Sequence, residues 1–139
     1  MAIIIGRTWS GQAVSFIADA HPIELDAVAN AEAAIGGASS NKATAVAGAA
    51  TLNNAVAGTV TTESLTTAAG SLYTLTLTSN LITANSVILA NVTLGTSTTG
   101  TAQIVHITPT AGIVTIQVKN IHATAAFNGT LKVGFAVFQ

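Results

Sequence analysis

The feature that most constrains this chain is a long stretch of alternating β-branched residues that is almost free of charge. From Ser64 to Gln139 only Lys119 and Lys132 carry a formal charge. Charged residues make up 6% of the whole chain, against about 25% in an average soluble domain. Soluble monomers use surface charge to stay in solution and to keep exposed sheet edges from pairing with other chains. A β-domain without that protection is expected to lie against other protein.

Period-two alternation predicts a mainly β fold for the second part of the chain. In Leu72–Thr78, residues Leu75 and Leu77 alternate with threonines, so one face of the strand is apolar and the other is polar. Turn-forming residues separate the runs, and Pro109 with Gly112 predicts a tight hairpin. Short strands at this spacing predict an antiparallel β-sandwich with a jelly-roll-like topology. The predicted strands are Val56–Thr66, Leu72–Thr78, Ser86–Leu94, Ala102–Thr108, Ile113–Lys119 and Thr130–Phe138.

The same alternation predicts which side chains of these strands point into the core. Ile104 and Val105 are neighbours on opposite faces, so one of them must point outward or into an interface. The residues expected to point mostly inward are Leu75, Leu77, Val87, Leu89, Ile104, Ile116, Val118, Val133 and Phe135.

The N-terminal part of the chain differs in composition and contains four of the five acidic residues. Pro22 suits the first turn of a helix, and Glu24 and Asp26 lie where the helix dipole is positive. The sequence therefore predicts a short helix over residues 22–35, which ends at the glycines that follow. An acidic loop with one helical turn is the alternative.

We expect two regions, an N-terminal arm with one short helix over residues 1–50 and a β-sandwich domain over residues 51–139. The small residues of 36–50 predict a linker, which could run into a strand at Ala43–Leu52. Large apolar side chains are few in the arm. Because aromatic and large apolar anchors often dominate interface energy, those of the arm are candidate interface anchors. They are Trp9, Phe16 and Ile17.

The sequence predicts no enzyme, no metal site and no cofactor. His106 and His122 could meet across a sheet, but zinc takes a third protein ligand, and Glu63 is the only acid of this half. The same lack of acids argues against a nucleophile–base–acid triad and against paired catalytic carboxylates. The glycines show no phosphate-binding spacing. Hydrogen-bonded or interface histidines are therefore expected, and no small-molecule substrate.

Other classes of partner are also disfavoured. Binding to nucleic acid requires several basic side chains on one face, and the chain has four Lys and Arg in all, without a cluster. No apolar run approaches the roughly 20 residues of a membrane-spanning helix. The start of the chain lacks the basic and apolar regions of a signal peptide. We expect a protein that is made in the cytoplasm and binds neither nucleic acid nor a membrane.

Three segments resemble small structural proteins of tailed bacteriophages. They are Gly58–Thr67 (GTVTTESLTT), Asn85–Ala90 (NSVILA) and Asn120–Lys132 (NIHATAAFNGTLK). The resemblance covers roughly residues 50–139 and rests on the general character of the sequence and on these short segments. The members it resembles most are capsid decoration, or cement, proteins, many of which are compact β-folds that bind the outside of the shell.

The resemblance implies a homo-oligomeric structural protein, a dimer or trimer, on the surface of the virion. Its partner would be the major capsid protein, and it would stabilise the shell by bridging capsid subunits. The alternative is a tail-fibre or receptor-binding β-module that recognises a cell-surface glycan. Glycan sites usually present exposed aromatic rings, and Trp9 and Tyr73 are the only Trp and Tyr of the chain. That composition favours the capsid interpretation.

Overall fold

In a computed structural model of the chain, residues 41–139 are described, and they form a mainly β, sandwich-like fold of two four-stranded sheets. The predicted helix and the candidate anchors Trp9, Phe16 and Ile17 lie outside these residues. The strands are β1 Lys42–Thr44, β2 Ala49–Thr51, β3 Ala57–Thr61, β4 Leu72–Thr78, β5 Val87–Leu94, β6 Ala102–Thr110, β7 Ile113–Asn120 and β8 Leu131–Phe138. All six strands predicted from the alternation are confirmed, with bounds shifted by a few residues.

Successive strands alternate between the sheets except at one hairpin. Sheet A has the order β1-β3-β8-β5 and sheet B the order β2-β4-β7-β6. Strands β6 and β7 are the sole chain neighbours that pair with each other among residues 41–139. They are joined at Ala111 and Gly112, and Gly112 has a φ of 81°, which the predicted hairpin requires.

The antiparallel prediction holds for four of the six strand pairs. The edge pairs β1–β3 and β2–β4 are parallel, because β1 and β2 each reach the next strand of their own sheet through a connection that crosses between the sheets. The jelly-roll topology is not confirmed. Jelly rolls are antiparallel architectures, and the parallel pairs β1–β3 and β2–β4 depart from that pattern.

The two parallel edge strands lie within the residues that composition assigned to the arm and linker. Residues 42–44 and 49–51 pair with β3 and β4, so the β-sandwich extends at least to Lys42. A two-residue turn at Ala47 and Gly48 joins them, with φ of 52° and 79°. Small residues mark a linker in sequence, and here they form short edge strands and a turn that needs the left-handed region.

The core lies between the sheets and consists of aliphatic side chains with Phe127, Phe135 and Tyr73. Leu75, Leu77, Ile116, Val118, Val133 and Phe135 are buried as predicted. Ile104 is half-buried and packs on the core, while Val105 is exposed where the register of β6 shifts.

The inward prediction is wrong for Val87 and Leu89, which are each 60% exposed. Their neighbours Ile88, Ala90 and Val92 face the core instead. The first four residues of β5 are apolar on both faces, so the alternation there does not distinguish the inner face from the outer one. The polar residues of β5, Asn91 and Thr93, share a face with Val87 and Leu89, and that face is the outer one.

The side-chain amide of Asn120, fully buried at the end of β7, connects three loops. Its Oδ1 accepts hydrogen bonds from the backbone N–H groups of Thr101 (3.0 Å) and His122 (3.1 Å). Its Nδ2 donates to the carbonyl oxygens of Thr67 (3.1 Å) and Ala125 (2.8 Å). The amide thereby fixes the loops after β3, β5 and β7 against one another.

Candidate interaction surface

The outer face of sheet A has a floor of small residues in the middle of the sheet. Phe135 of β8 points into the core, and the residues on either side of it therefore point outward. They form two cross-strand rows on β3, β8 and β5: Ala57, Ala136 and Leu89, and beside them Thr59, Gly134 and Asn91.

The small side chains leave an open groove of about 450 Å³ across these rows. The side chain of Asn91 lies over Gly134, where a Cβ would collide with Asn91 Oδ1. Leu89 and Asn91 of the edge strand line one side of the groove. A groove with an alanine and glycine floor can accept a protruding side chain of another molecule, and the Asn91 amide offers a donor and an acceptor beside it.

Apolar side chains cluster at one end of this face. Val87 is 60% exposed, its direct partner Phe138 on β8 is 53% exposed, and Leu89 is the next outward residue of β5. Because three large apolar side chains are contiguous with the groove, they form one patch and not scattered surface residues. We call the groove and this patch together the sheet A face.

The outer face of sheet B has a different chemistry. Its residues are mainly hydroxyl-bearing: Thr51 and Thr78 continue in one row to Thr110, and Thr76 and Thr115 continue in the next row to Thr108. Gln117, Lys119 and His106 follow further along the strands. The exposed apolar residues Leu72 and Ile113 lie at opposite ends of this face and do not form a patch.

Two of the charges of residues 41–139 lie on the outer face of sheet A beside the groove. Lys42 pairs with Thr59, which lines the groove, and Lys132 is the next outward residue of β8 before Gly134. Lys42, Lys119 and Lys132 are exposed.

Glu63 accepts hydrogen bonds from the Tyr73 hydroxyl (3.2 Å) and from the backbone N–H of Gly48 (3.3 Å). Burial of the ring, and then the negative charge of Glu63, raise the pKa of Tyr73 well above its usual range. The carboxylate therefore holds the β1–β2 turn on β4, which is a structural role.

The two histidines of this part of the chain lie in a strand and in a loop. His106 of β6 lies opposite Gln117, whereas His122 lies in the loop after β7, two residues beyond Asn120. His122 Nδ1 accepts hydrogen bonds from the backbone N–H groups of Thr124 (3.1 Å) and Ala125 (2.9 Å). From residue 41 onward, no three His, Cys, Asp or Glu side chains group together closely enough to hold a metal ion.

Residues Asn120–Lys132, one of the segments that carry the resemblance, form internal contacts. Asn128 Oδ1 accepts hydrogen bonds from the backbone N–H groups of Thr98 (2.7 Å) and Thr99 (3.2 Å). Phe127 is buried against Gly100, where a Cβ would collide with its ring. These residues therefore hold the loop before β6 in place.

Sequence reasoning missed the residues of the sheet A face. Two of them, Val87 and Leu89, were predicted to point inward, whereas the alternation in Thr130–Phe138 puts Phe138 on the face opposite Val133 and Phe135. The signal that identifies them is the position of Asn91 and Thr93, which have the same parity along β5 as Val87 and Leu89.

Comparisons with known proteins add no family assignment. No protein-family model, no characterised protein and no solved structure matches the chain. Among residues 41–139, no helix has the length and apolar character to cross a membrane.

Proposed function

We propose that this chain is a structural protein of a tailed-phage particle. It binds the outside of the capsid and stabilises the shell by bridging major capsid subunits. The observation that carries the proposal is the sheet A face, a contiguous apolar patch beside a groove on a nearly uncharged β-sandwich. Contiguous exposed apolar patches of this kind mark protein contacts. The resemblance to decoration proteins supplies the identity of the partner.

The stabilisation is a matter of burial and mass action. A Val, Leu or Phe side chain contributes about 1.5–3 kcal/mol when it passes from full exposure to full burial. Val87, Leu89 and Phe138 are about half exposed in the free chain, so each has part of that free energy left to gain in a complex. A ligand that binds only the assembled shell shifts the equilibrium toward it, and many equivalent copies add their effects.

The N-terminal arm provides a second attachment in this proposal. Its anchors Trp9, Phe16 and Ile17 are large apolar residues in a segment of different composition. Deletion of residues 1–20 should leave a folded β-sandwich that binds its shell poorly. Normal incorporation of the truncated chain into particles would contradict this part of the proposal.

The main experiment compares the two outer faces on assembled particles. Ala136→Lys puts a long charged side chain into the groove, and Thr115→Lys puts the same side chain at a half-buried position on the central strand of the opposite face. We expect Ala136→Lys to lower occupancy on particles at least tenfold and Thr115→Lys to leave it nearly unchanged, with both variants folded. The readout is copy number on purified heads, together with the temperature at which the heads release their DNA.

Two results would overturn the proposal. One is a chain that does not sediment with heads at all, and the other is equal occupancy for Ala136→Lys and the unmodified chain. Because the contacts are mainly apolar, occupancy should depend little on salt between about 0.05 and 0.5 M, where exposed charges become strongly screened.

A further inference from the structure

The four edge strands of the sandwich differ in how well they are protected from pairing. Strands β1 and β2 are three residues long. Strand β6 is long, but its register with β7 shifts between Ile104 and His106, and it contains Pro109. Short length, a bulge and an edge proline are the devices by which natural sheets block edge-to-edge pairing.

Strand β5 has none of these devices. All eight of its residues pair with β8 in regular register, and it contains neither a charged residue nor a proline. Its other edge pairs with no strand of residues 41–139. The edge of β5 is therefore a template for a further strand.

We propose that β5 pairs antiparallel with β5 of a second copy of this chain, which makes a two-fold symmetric dimer with an eight-stranded sheet A. A two-fold axis pairs a strand with its own copy, so a charge near the axis would lie close to a like charge. The absence of charge in Val87–Leu94 removes that repulsion. This inference is independent of the capsid proposal, because it concerns the purified chain alone.

The alternation of side chains restricts the proposed pair to registers centred on a residue, and Ala90 is one of the two residues in the middle of β5. Outward residues must meet outward residues, and inward residues inward ones. Pairing centred on Ala90 meets this condition over most of the strand. It places Ile88 opposite the partner's Val92, so an apolar pair extends the inner row on both sides of the axis, and Leu89 opposite the partner's Asn91.

The size of the contact predicts a concentration-dependent dimer. Seven paired residues are roughly 24 Å long, and the side of a two-layer sandwich is roughly 20 Å thick, which gives about 1,000 Å² of total buried area. That is at the low end for specific interfaces, so we expect dissociation in the micromolar range. The pairing leaves the sheet A face free, and a dimer presents two such faces side by side, a geometry suited to bridging two neighbouring subunits.

A disulfide scan tests the register directly, because the chain contains no cysteine. Ala90→Cys puts two thiols on the two-fold axis, where opposite Cα atoms lie about 4.5–5.5 Å apart, within the range that a disulfide spans. Thr108→Cys puts a thiol on the other long edge strand as the matched control. We expect most of Ala90→Cys to form a covalent dimer under mild oxidation and Thr108→Cys to stay monomeric in denaturing gels. Equal cross-linking of the two variants, or none of Ala90→Cys, would overturn the proposal.

Light scattering of the full chain between about 5 and 500 μM tests the affinity, over the range in which micromolar complexes dissociate. Leu89→Lys puts two like charges on diagonal positions across the proposed axis, about 7–8 Å apart, and Val46→Lys makes a similar change at a residue 74% exposed beside the opposite edge. We expect Leu89→Lys to raise the dissociation constant at least tenfold and Val46→Lys to leave it unchanged. A monomeric unmodified chain at about 500 μM contradicts the dimer. In that case, exchange-protected β5 amides would show that another segment of the same chain covers the edge.

Discussion

The two sheets of this sandwich use similar residues in opposite ways. Sheet A has a wholly apolar inner face and an outer face with a groove and an apolar patch around Val87, Leu89 and Phe138. Sheet B has threonine rows outside, and two polar residues inside, Tyr73 and Asn120, which are both hydrogen-bonded. Within its strands, sheet A thus buries no polar side chain and exposes an apolar patch, whereas sheet B buries two polar side chains and has mainly threonine on its outer face.

The difference shows that alternation along a β-strand identifies the solvent-facing side only when one of the two faces is polar. In β4 every outward position after Leu72 is threonine, so the inner face is unambiguous. In β5 both faces begin with apolar residues, so an outer apolar face and an inner one cannot be distinguished over its first half. A strand that is apolar on both faces is therefore a place to look for contacts with other molecules.

The largest expected effect concerns the inner face of sheet B. Leu75 is fully buried on β4, so Leu75→Asp should unfold the domain, with a loss above about 4 kcal/mol, because an unpaired carboxylate in the core is costly. Thr74→Asp, one residue earlier on the exposed face, should cost less than about 1 kcal/mol. Denaturant unfolding followed by circular dichroism measures both. A folded Leu75→Asp protein would refute the face assignment.

The second prediction concerns the polar residue that sheet B buries at its end. Asn120→Ala removes four hydrogen bonds and leaves three of their backbone partners without one, in the loops after β5 and β7. The fourth partner, the Thr67 carbonyl oxygen, still accepts from the backbone N–H of Phe127. We expect a loss of about 3 kcal/mol in unfolding free energy, since each buried unsatisfied group costs about 1–3 kcal/mol and entering water satisfies some. The control Asn91→Ala, on the exposed face of sheet A, should cost less than about 0.5 kcal/mol. Equal effects of the two substitutions would contradict the network.

The third prediction uses Tyr73, the only tyrosine of the chain. Burial and Glu63 raise its folded-state pKa above the unfolded value of about 10. The resulting stability is fully present below about pH 10 and is lost as the pH rises through the folded-state pKa. Tyrosinate absorbance should therefore appear together with unfolding, and Tyr73→Phe should flatten the alkaline decline of stability. Ionisation near pH 10 in a chain that stays folded would refute the burial of this hydroxyl.

The smallest expected effect comes from substitutions that make the outer face of each sheet more like that of the other. Leu89→Thr on sheet A and Thr115→Leu on sheet B should each change the unfolding free energy by less than about 0.5 kcal/mol, because both positions face outward. Retention on a hydrophobic column should nevertheless fall for Leu89→Thr and rise for Thr115→Leu. If retention is unchanged by Leu89→Thr, the sheet A face does not dominate the surface chemistry.

Most of the strands could be predicted from the sequence because threonine and aliphatic residues alternate cleanly between turn residues. Leu72–Thr78 matches β4 at both ends, and Pro109 and Gly112 mark the hairpin. The order of the strands could not be predicted in this way. The parallel pairs β1–β3 and β2–β4 involve three-residue strands of Ala, Thr and Lys, which are too short and too small to show a period.

The candidate surface was harder to predict than the fold. Its groove exists because Ala57, Gly134 and Ala136 become neighbours when β3 pairs with β8. No local pattern connects these residues, since they come from opposite ends of the described chain. The sequence did predict that a nearly uncharged β-domain needs a partner, and that stays a prediction to be tested on β5 and on the sheet A face.

The position of β8 between β3 and β5 has a consequence for the timing of synthesis. Sheet A cannot form while the ribosome has yet to release residues 131–138, because β8 is the strand that joins β3 to β5 within residues 41–139. Folding that depends on such distant pairing is expected to be slow, in milliseconds to seconds. A nascent chain therefore has β5 open on both edges, and chaperone binding at that stage would keep it from pairing prematurely with other copies.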